Sequence, residues 1–211
     1  MDGWENTWSK NGGLQPGQEF DASEPLPFIN TLFEKNLVPT GIGFIPGCGR
    51  GYAVGAFSRG GRSILGIEIS RTAVEAARKY LTENPPCENS AWTTWSVEYA
   101  SFFDYTSEAK FDFAYDYTFL CAIDPNQRKA WAEKYSHILK PKGQLLTALF
   151  PIGDYVPSGV GPPGPPYPLS VNLVEELLKP YGFRKIFEKD LGSGEAHSGR
   201  EGKTTFCIWS R

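Results

Sequence analysis

Histidine is scarce in this chain: His137 and His197 are the only two in 211 residues. Cysteine offers little more. Cys48, Cys87, Cys121 and Cys207 lie far apart and follow neither a disulfide framework nor a zinc spacing. A resident metal would have few ligands to draw on, and none is expected. Lysine and arginine total 21 against 24 acidic residues, giving a net charge of −3 with no basic stripe. Nucleic acid is therefore not an expected partner. No apolar run reaches the length of a membrane span. The start, Met1-Asp2-Gly3-Trp4-Glu5, lacks the basic and apolar regions of a signal peptide. The expectation is a reduced, cytoplasmic, monomeric protein that meets neither membrane nor nucleic acid. A chain of this length buries a substantial core without a metal or disulfide staple, and one domain spanning 1–211 is expected.

What is present is a glycine cluster, Gly47, Gly49 and Gly51, leaving the short apolar run Gly41-Ile42-Gly43-Phe44-Ile45. About twenty residues later a second such run, Ser63-Ile64-Leu65-Gly66-Ile67, ends in Glu68. Apolar runs of this kind suit strands buried on both faces of a parallel sheet. The glycines let the backbone approach a ligand with no Cβ in the way, and the acid can accept two hydrogen bonds from a ribose diol. The spacing points to a nucleotide-like ligand across the carboxyl ends of the strands, against the blander alternative of a tight turn beside a surface acid.

The rest of the chain alternates strand and helix patterns. Helices are expected from Pro25 to Lys35, from Tyr52, and from Ser70, whose hydroxyl caps a face of Val74, Ala77 and Leu81. Another opens at Asp124, with Gln127 completing a capping box around Pro125. It carries Trp131, Tyr135, Ile138 and Leu139 inward and ends at Lys140-Pro141-Lys142-Gly143. Further strands are expected at 41–46, Trp92–Val97, Phe111–Tyr117, Gln144–Phe150, Phe183–Glu188 and Thr204–Trp209. A helix from Ser170 through Leu173, Leu177 and Tyr181 stops at Gly182. The last two strands have no helix between them and must be antiparallel. Residues 157–168 hold nine prolines and glycines in twelve positions. Such a segment forms neither helix nor central strand, and 151–169 is expected to be a lid or connector. Residues 1–24, with Trp4 and Trp8, have no evident core role and are expected to cover the ligand.

Several segments together carry a resemblance. They are Gly3-Trp4-Glu5 with Trp8; Phe20-Asp21 before Pro25 and Pro27; Ile45-Pro46-Gly47-Cys48-Gly49; and Gly66-Ile67-Glu68-Ile69-Ser70. Phe111-Asp112 through Asp116-Tyr117, Phe119-Leu120-Cys121-Ala122-Ile123-Asp124-Pro125 and Leu139-Lys140-Pro141-Lys142-Gly143 extend it. From Trp4 to about Trp209 the chain resembles the thiopurine S-methyltransferase superfamily, in its branch of thiol, thiocyanate and halide methyltransferases. The resemblance implies an α/β class I (Rossmann-like) methyltransferase fold. Its sheet would be seven-stranded and mostly parallel, with an antiparallel last strand and helices on both faces. It implies S-adenosyl-L-methionine as methyl donor and S-adenosyl-L-homocysteine as product. Donor contacts would fall at Trp4, Trp8, Phe20, Gly47, Gly49, Glu68, Ser101, Phe102 and Tyr117. Two positions depart from the family pattern: Phe20 stands where Trp is frequent, and Ser101 where an Asp would bind the adenine amino group.

Methyl transfer from a sulfonium is an in-line displacement, and it needs positioning more than proton relay. A small thiol, hydrosulfide, thiocyanate or halide already carries the attacking charge. No catalytic base is assigned, and the expected task is to strip water from the anion between aromatic walls. Phe119, Tyr155 and Tyr167 are the candidate acceptor residues; core packing for Phe119 and surface positions for the two tyrosines are the alternatives. Cys121 reads as a small buried hydrophobe, and His197 and Arg200 as solvated loop residues. The competing functions are methylation of a bulkier aromatic or heterocyclic thiol, nucleotide binding without catalysis, and NAD-dependent reduction.

Overall fold

The computed structural model describes residues 2–85, 93–153 and 164–211. The chain divides into two compact units, 1–106 and 107–211.

The first unit opens with helix α1 (Asp2–Ser9) and a single 3-10 turn. This helix was not expected, because the Gly- and Asn-containing segment shows no apolar repeat. It is held from outside, by contacts with a later helix. Helix α2 (Phe28–Glu34) is shorter than the Pro25–Lys35 expectation and buries Phe28, Ile29 and Leu32. Strand β1 (Ile42–Pro46) leads to α3 (Tyr52–Phe57), β2 (Ser63–Glu68) and α4 (Arg71–Glu83). The Ser70 hydroxyl accepts from the Ala73 N–H as its position foretells, and Ala73, Val74, Ala77 and Leu81 form the buried face of α4. Strand β3 (Thr94–Tyr99) begins two residues later than expected. Trp92, part of that expectation, lies outside the described residues. Strands β1, β2 and β3 pair in parallel.

The second unit begins with β4 (Phe111–Tyr117) at its expected bounds. The capping box at Asp124 is corrected. Asp124 accepts from the Asn126 N–H in a 3-10 turn, and α5 (Arg128–Ile138) starts only afterwards. Trp131, Tyr135 and Ile138 line its buried side, while Leu139 opens strand β5 (Leu139–Leu149) instead of closing the helix. The pairing of β4 with β5 shifts register between Phe111 and Phe113, so the Lys140–Gly143 break is absorbed inside a longer strand. Helix α6 (Val171–Leu178) is capped by Ser170 and buries Val174 and Leu178; a 3-10 turn, Lys179–Tyr181, follows it and stops at the left-handed Gly182. Strands β6 (Arg184–Asp190) and β7 (Thr205–Ser210) are antiparallel, and β7 runs antiparallel to β5.

The strand order is β3-β2-β1-β4-β5-β7-β6. Both outer strands are mostly exposed and polar, as unpaired edges must be to avoid adding a foreign strand.

Candidate functional site

The first unit gathers its candidate residues where β1 and β2 end. The Cys48 N–H bonds the Ile67 carbonyl at 3.1 Å, so the loop leaves β1 still pressed against β2. Gly66 permits this approach: a Cβ there would lie 2.8 Å from Val54 Cγ2 and 2.9 Å from Cys48 Sγ. Gly49 has φ of +53°, and a Cβ on it would meet the Trp8 ring at 3.5 Å.

Glu68 is buried. Its Oε2 accepts from the Gly49 N–H at 3.0 Å, and its Oε1 from the N–H groups of Ile69 and Ser70 at 2.7 and 3.2 Å. Burial pushes its pKa up, and the three N–H donors oppose that rise. The acid thus closes the glycine loop onto the start of α4. Oε2, with a single donor, keeps lone-pair capacity for a ligand hydroxyl.

The N-terminal segment reaches this loop. Trp4 and Trp8 meet Phe20 edge-on, at 5.6 and 5.7 Å between ring centroids. Trp8 is buried in a small cluster with Leu14 and Ala73, so it serves as local core as well as lying over Gly49. Glu5, Asp21, Arg50 and Tyr52 were not among the site residues expected from the sequence. Glu5 accepts from the hydroxyls of Ser70 and Thr72 at 2.7 and 2.5 Å, which lower its pKa. Asp21 accepts from Arg50 at 2.7 Å and from the Tyr52 hydroxyl at 2.9 Å. The adjacency of Arg50 to Gly49 and of Asp21 to Phe20 was the available signal. Ser101 is half-buried, and Phe102 is buried against Phe44 and Phe103.

The second unit assembles a different cluster at the end of β4. The Tyr117 hydroxyl accepts from Arg200 Nη1 at 2.9 Å, and its ring stacks on His197 at 5.7 Å. The Arg200 guanidinium also lies 4.8 Å from the Phe150 ring centroid. His197 is buried and Arg200 half-buried, which corrects the expectation of two solvated residues. Their loop folds back onto the Tyr117 ring, a partner eighty residues away in sequence that local pattern does not disclose. Burial raises the pKa of Tyr117, and the Arg200 charge counters part of the rise.

Asp116, buried beside Tyr117, accepts from Trp131 Nε1, the Tyr135 hydroxyl and the Leu120 N–H at 2.7, 3.0 and 3.0 Å. That carboxylate holds the turn carrying Tyr117, Phe119 and Cys121. Cys121 is buried, and desolvation raises its thiol pKa to about 12. Phe119 and Tyr167 are half-buried, and the Tyr167 N–H bonds the Cys121 carbonyl at 2.8 Å. Tyr155 lies outside the described residues, as does much of the 151–169 segment.

A family model described as thiopurine S-methyltransferase matches residues 1–205. The chain belongs to this family. Among its relatives, probable thiol methyltransferase 2 of Arabidopsis thaliana is 39% identical over 184 residues, 87% of this chain and 74% of that one. Thiocyanate methyltransferase 1 of the same plant is 32% identical over 209 residues, 99% of this chain and 84% of that one. A structure solved to study the conversion of a disulfide bond into a thioacetal group during echinomycin biosynthesis matches with a TM-score of 0.71. Its sequence identity is 16%, covering 99% of this chain and 91% of that one. That likeness shows the fold, a Rossmann-like methyltransferase sheet.

The protein is thus a methyltransferase that uses S-adenosylmethionine to methylate sulfur. The residues present suit that donor: a glycine loop open to close approach and a buried acid at the end of the next strand. Among the described residues, no group of three or more His, Cys, Asp or Glu is placed to hold a metal. No helix among them is long and apolar enough to cross a membrane.

Proposed function

We propose that this chain methylates a small anionic nucleophile, such as hydrosulfide, thiocyanate, a halide or a small thiol. The observation that carries this reading is the Arg200 guanidinium, held by the Tyr117 hydroxyl at 2.9 Å and lying over the Phe150 ring. A fixed cation among aromatic faces attracts an anion while offering it little water. The thiol and thiocyanate methyltransferases among its relatives support the same class of acceptor.

When bound, the donor supplies an electrophilic methyl group on a sulfonium sulfur. Glu68, Gly47 and Gly49 hold its nucleoside part, and Trp4, Trp8 and Phe20 cover it. Ser101, Phe102 and Tyr117 are the remaining proposed donor contacts. Arg200 and Tyr117 orient the acceptor, with Phe119 and Tyr167 as further walls. No side chain takes a proton in the transfer, because the acceptor arrives as an anion. Residues 1–24 act as the donor's cover. A monomer in the reducing cytoplasm is the proposed setting.

Headspace gas analysis tests the reading. Purified protein and S-adenosylmethionine are given iodide, bromide, hydrosulfide and thiocyanate separately. Methylated volatile product from at least one is expected. Turnover with aromatic or heterocyclic thiols and none with these four would favour the bulkier-acceptor function.

A further inference from the structure

We propose that Arg50 is a positioning residue that couples the N-terminal segment to the glycine loop, so that donor affinity depends on this latch. The proposal rests on the reading that the donor lies at Gly49 and Glu68.

Arg50 directly follows Gly49, yet its side chain belongs to the N-terminal segment's network. Nε donates to Asp21 Oδ2 at 2.7 Å, and Nη2 donates to the Leu14 carbonyl at 2.6 Å. The guanidinium also lies 5.4 Å from the Trp8 ring centroid. One side chain therefore touches three points of the segment: Trp8, Leu14 and Asp21. The other Asp21 oxygen accepts from the Tyr52 hydroxyl and from the Ser23 N–H, both at 2.9 Å. Arg50 and Tyr52 flank Gly51, the turn into α3, so the two sides of that turn grip one carboxylate. The pair is well enclosed, with side-chain exposures of 12% for Arg50 and 2% for Asp21. Such a pair is costly to break from one side, because a buried charge is left unpaired.

A second strap runs in parallel. Glu5 accepts from the Ser70 hydroxyl, while the Ser70 N–H donates to Glu68 Oε1 at 3.2 Å. The two straps end one and two residues from Gly49 and Glu68, the groups that bond each other at 3.0 Å. The segment, the loop and the acid form a closed ring of contacts. Loosening one strap loosens the donor's seat while leaving Arg200 and Tyr117 untouched.

The test compares Arg50→Met, Arg50→Lys, Asp21→Asn and the Arg50→Met/Asp21→Asn double variant in the full chain. S-adenosylhomocysteine affinity is measured by calorimetry, and KM for S-adenosylmethionine and kcat by steady-state kinetics. Arg50→Met is expected to weaken product binding and raise donor KM by roughly tenfold or more, the scale of a lost charge-assisted contact. Saturating kcat should stay within about twofold, since nothing on the acceptor side changes. Arg50→Lys keeps the charge but cannot serve Asp21 and Leu14 together, so it should fall between. It also keeps the test alive if Arg50→Met fails to fold. The double variant should be no worse than the worse single one, the mark of one shared interaction.

A merely structural Arg50 would lower the active fraction, reducing kcat with KM unchanged. That result, unaltered affinity in the folded variants, or additive effects in the double variant would each overturn the latch. Glu68→Ala separates the two layers of the argument. If it binds S-adenosylhomocysteine normally, the donor reading fails and the latch with it. If it binds weakly while the Arg50 variants bind normally, the latch alone fails.

Discussion

Each half of this chain buries a carboxylate near the end of a central strand, and the two are satisfied in different ways. Glu68 takes three backbone N–H groups, from Gly49, Ile69 and Ser70. Asp116 takes the backbone N–H groups of Leu120 and Phe119 and two side chains, Trp131 and Tyr135. Backbone donors come with any residue, so the first arrangement needs only glycines at the right places and an acid at the right distance. The second needs two particular side chains one turn apart on a later helix. The first arrangement asks only that the backbone come close; the second asks for particular side chains.

The comparison is broken most sharply at Glu68. Replacing it by Ala should cost about 2–4 kcal/mol of S-adenosylhomocysteine affinity, as charge-assisted bonds are lost. Glu68→Gln should recover part of this, since its carbonyl oxygen still accepts. Calorimetry on both variants measures the difference.

Gly66→Ala comes next, and acts on stability. Its Cβ would press on Val54 Cγ2 at 2.8 Å and Cys48 Sγ at 2.9 Å. Forcing that loop outward should cost about 1–3 kcal/mol in urea denaturation.

In the other half, Arg200→Met should raise acceptor KM roughly tenfold, or about 1.4 kcal/mol, with S-adenosylhomocysteine affinity little changed. Tyr117→Phe should have a smaller effect, about 0.5–1.5 kcal/mol, because one hydroxyl that accepts from Arg200 is lost. If it instead abolishes donor binding, Tyr117 belongs mainly to the donor.

The smallest effect is on pH. Desolvation raises the pKa of both buried acids. The folded chain therefore holds protons that the unfolded chain has released. Each acid's contribution to stability is greatest at low pH and declines as pH rises from the unfolded pKa through the raised folded one. Asp116→Asn should flatten that part of the urea midpoint's pH dependence.

The same contrast explains what could be read from the sequence. The ends of β2 and β4, the Ser70 cap and the glycine loop all follow from short-range pattern. Helix α1 did not, because its order comes from Glu5 bonding to α4 and from Trp8 packing on Leu14 and Ala73. His197 and Arg200 looked like loop residues for the same reason. Their environment is the ring of Tyr117 and, for Arg200, that of Phe150 as well. The Asp124 turn shows a smaller limit: the residue types of a capping box were present, but Asn126 supplied the bonded N–H.

The central claim is that the protein positions a ready-made anion and titrates nothing in the transfer step. Tyr117 and Cys121 are both shifted upward, Cys121 to about 12, and so stay protonated through the working range. The most direct measurement is the pH–rate profile for iodide beside that for hydrosulfide or a small thiol, at saturating S-adenosylmethionine. Iodide should give a nearly flat profile from about pH 6 to 9, while the thiol rate should climb and level off near the acceptor's own pKa. A single bell-shaped profile shared by both acceptors would show an enzyme group titrating in the rate-limiting step, and would contradict the account.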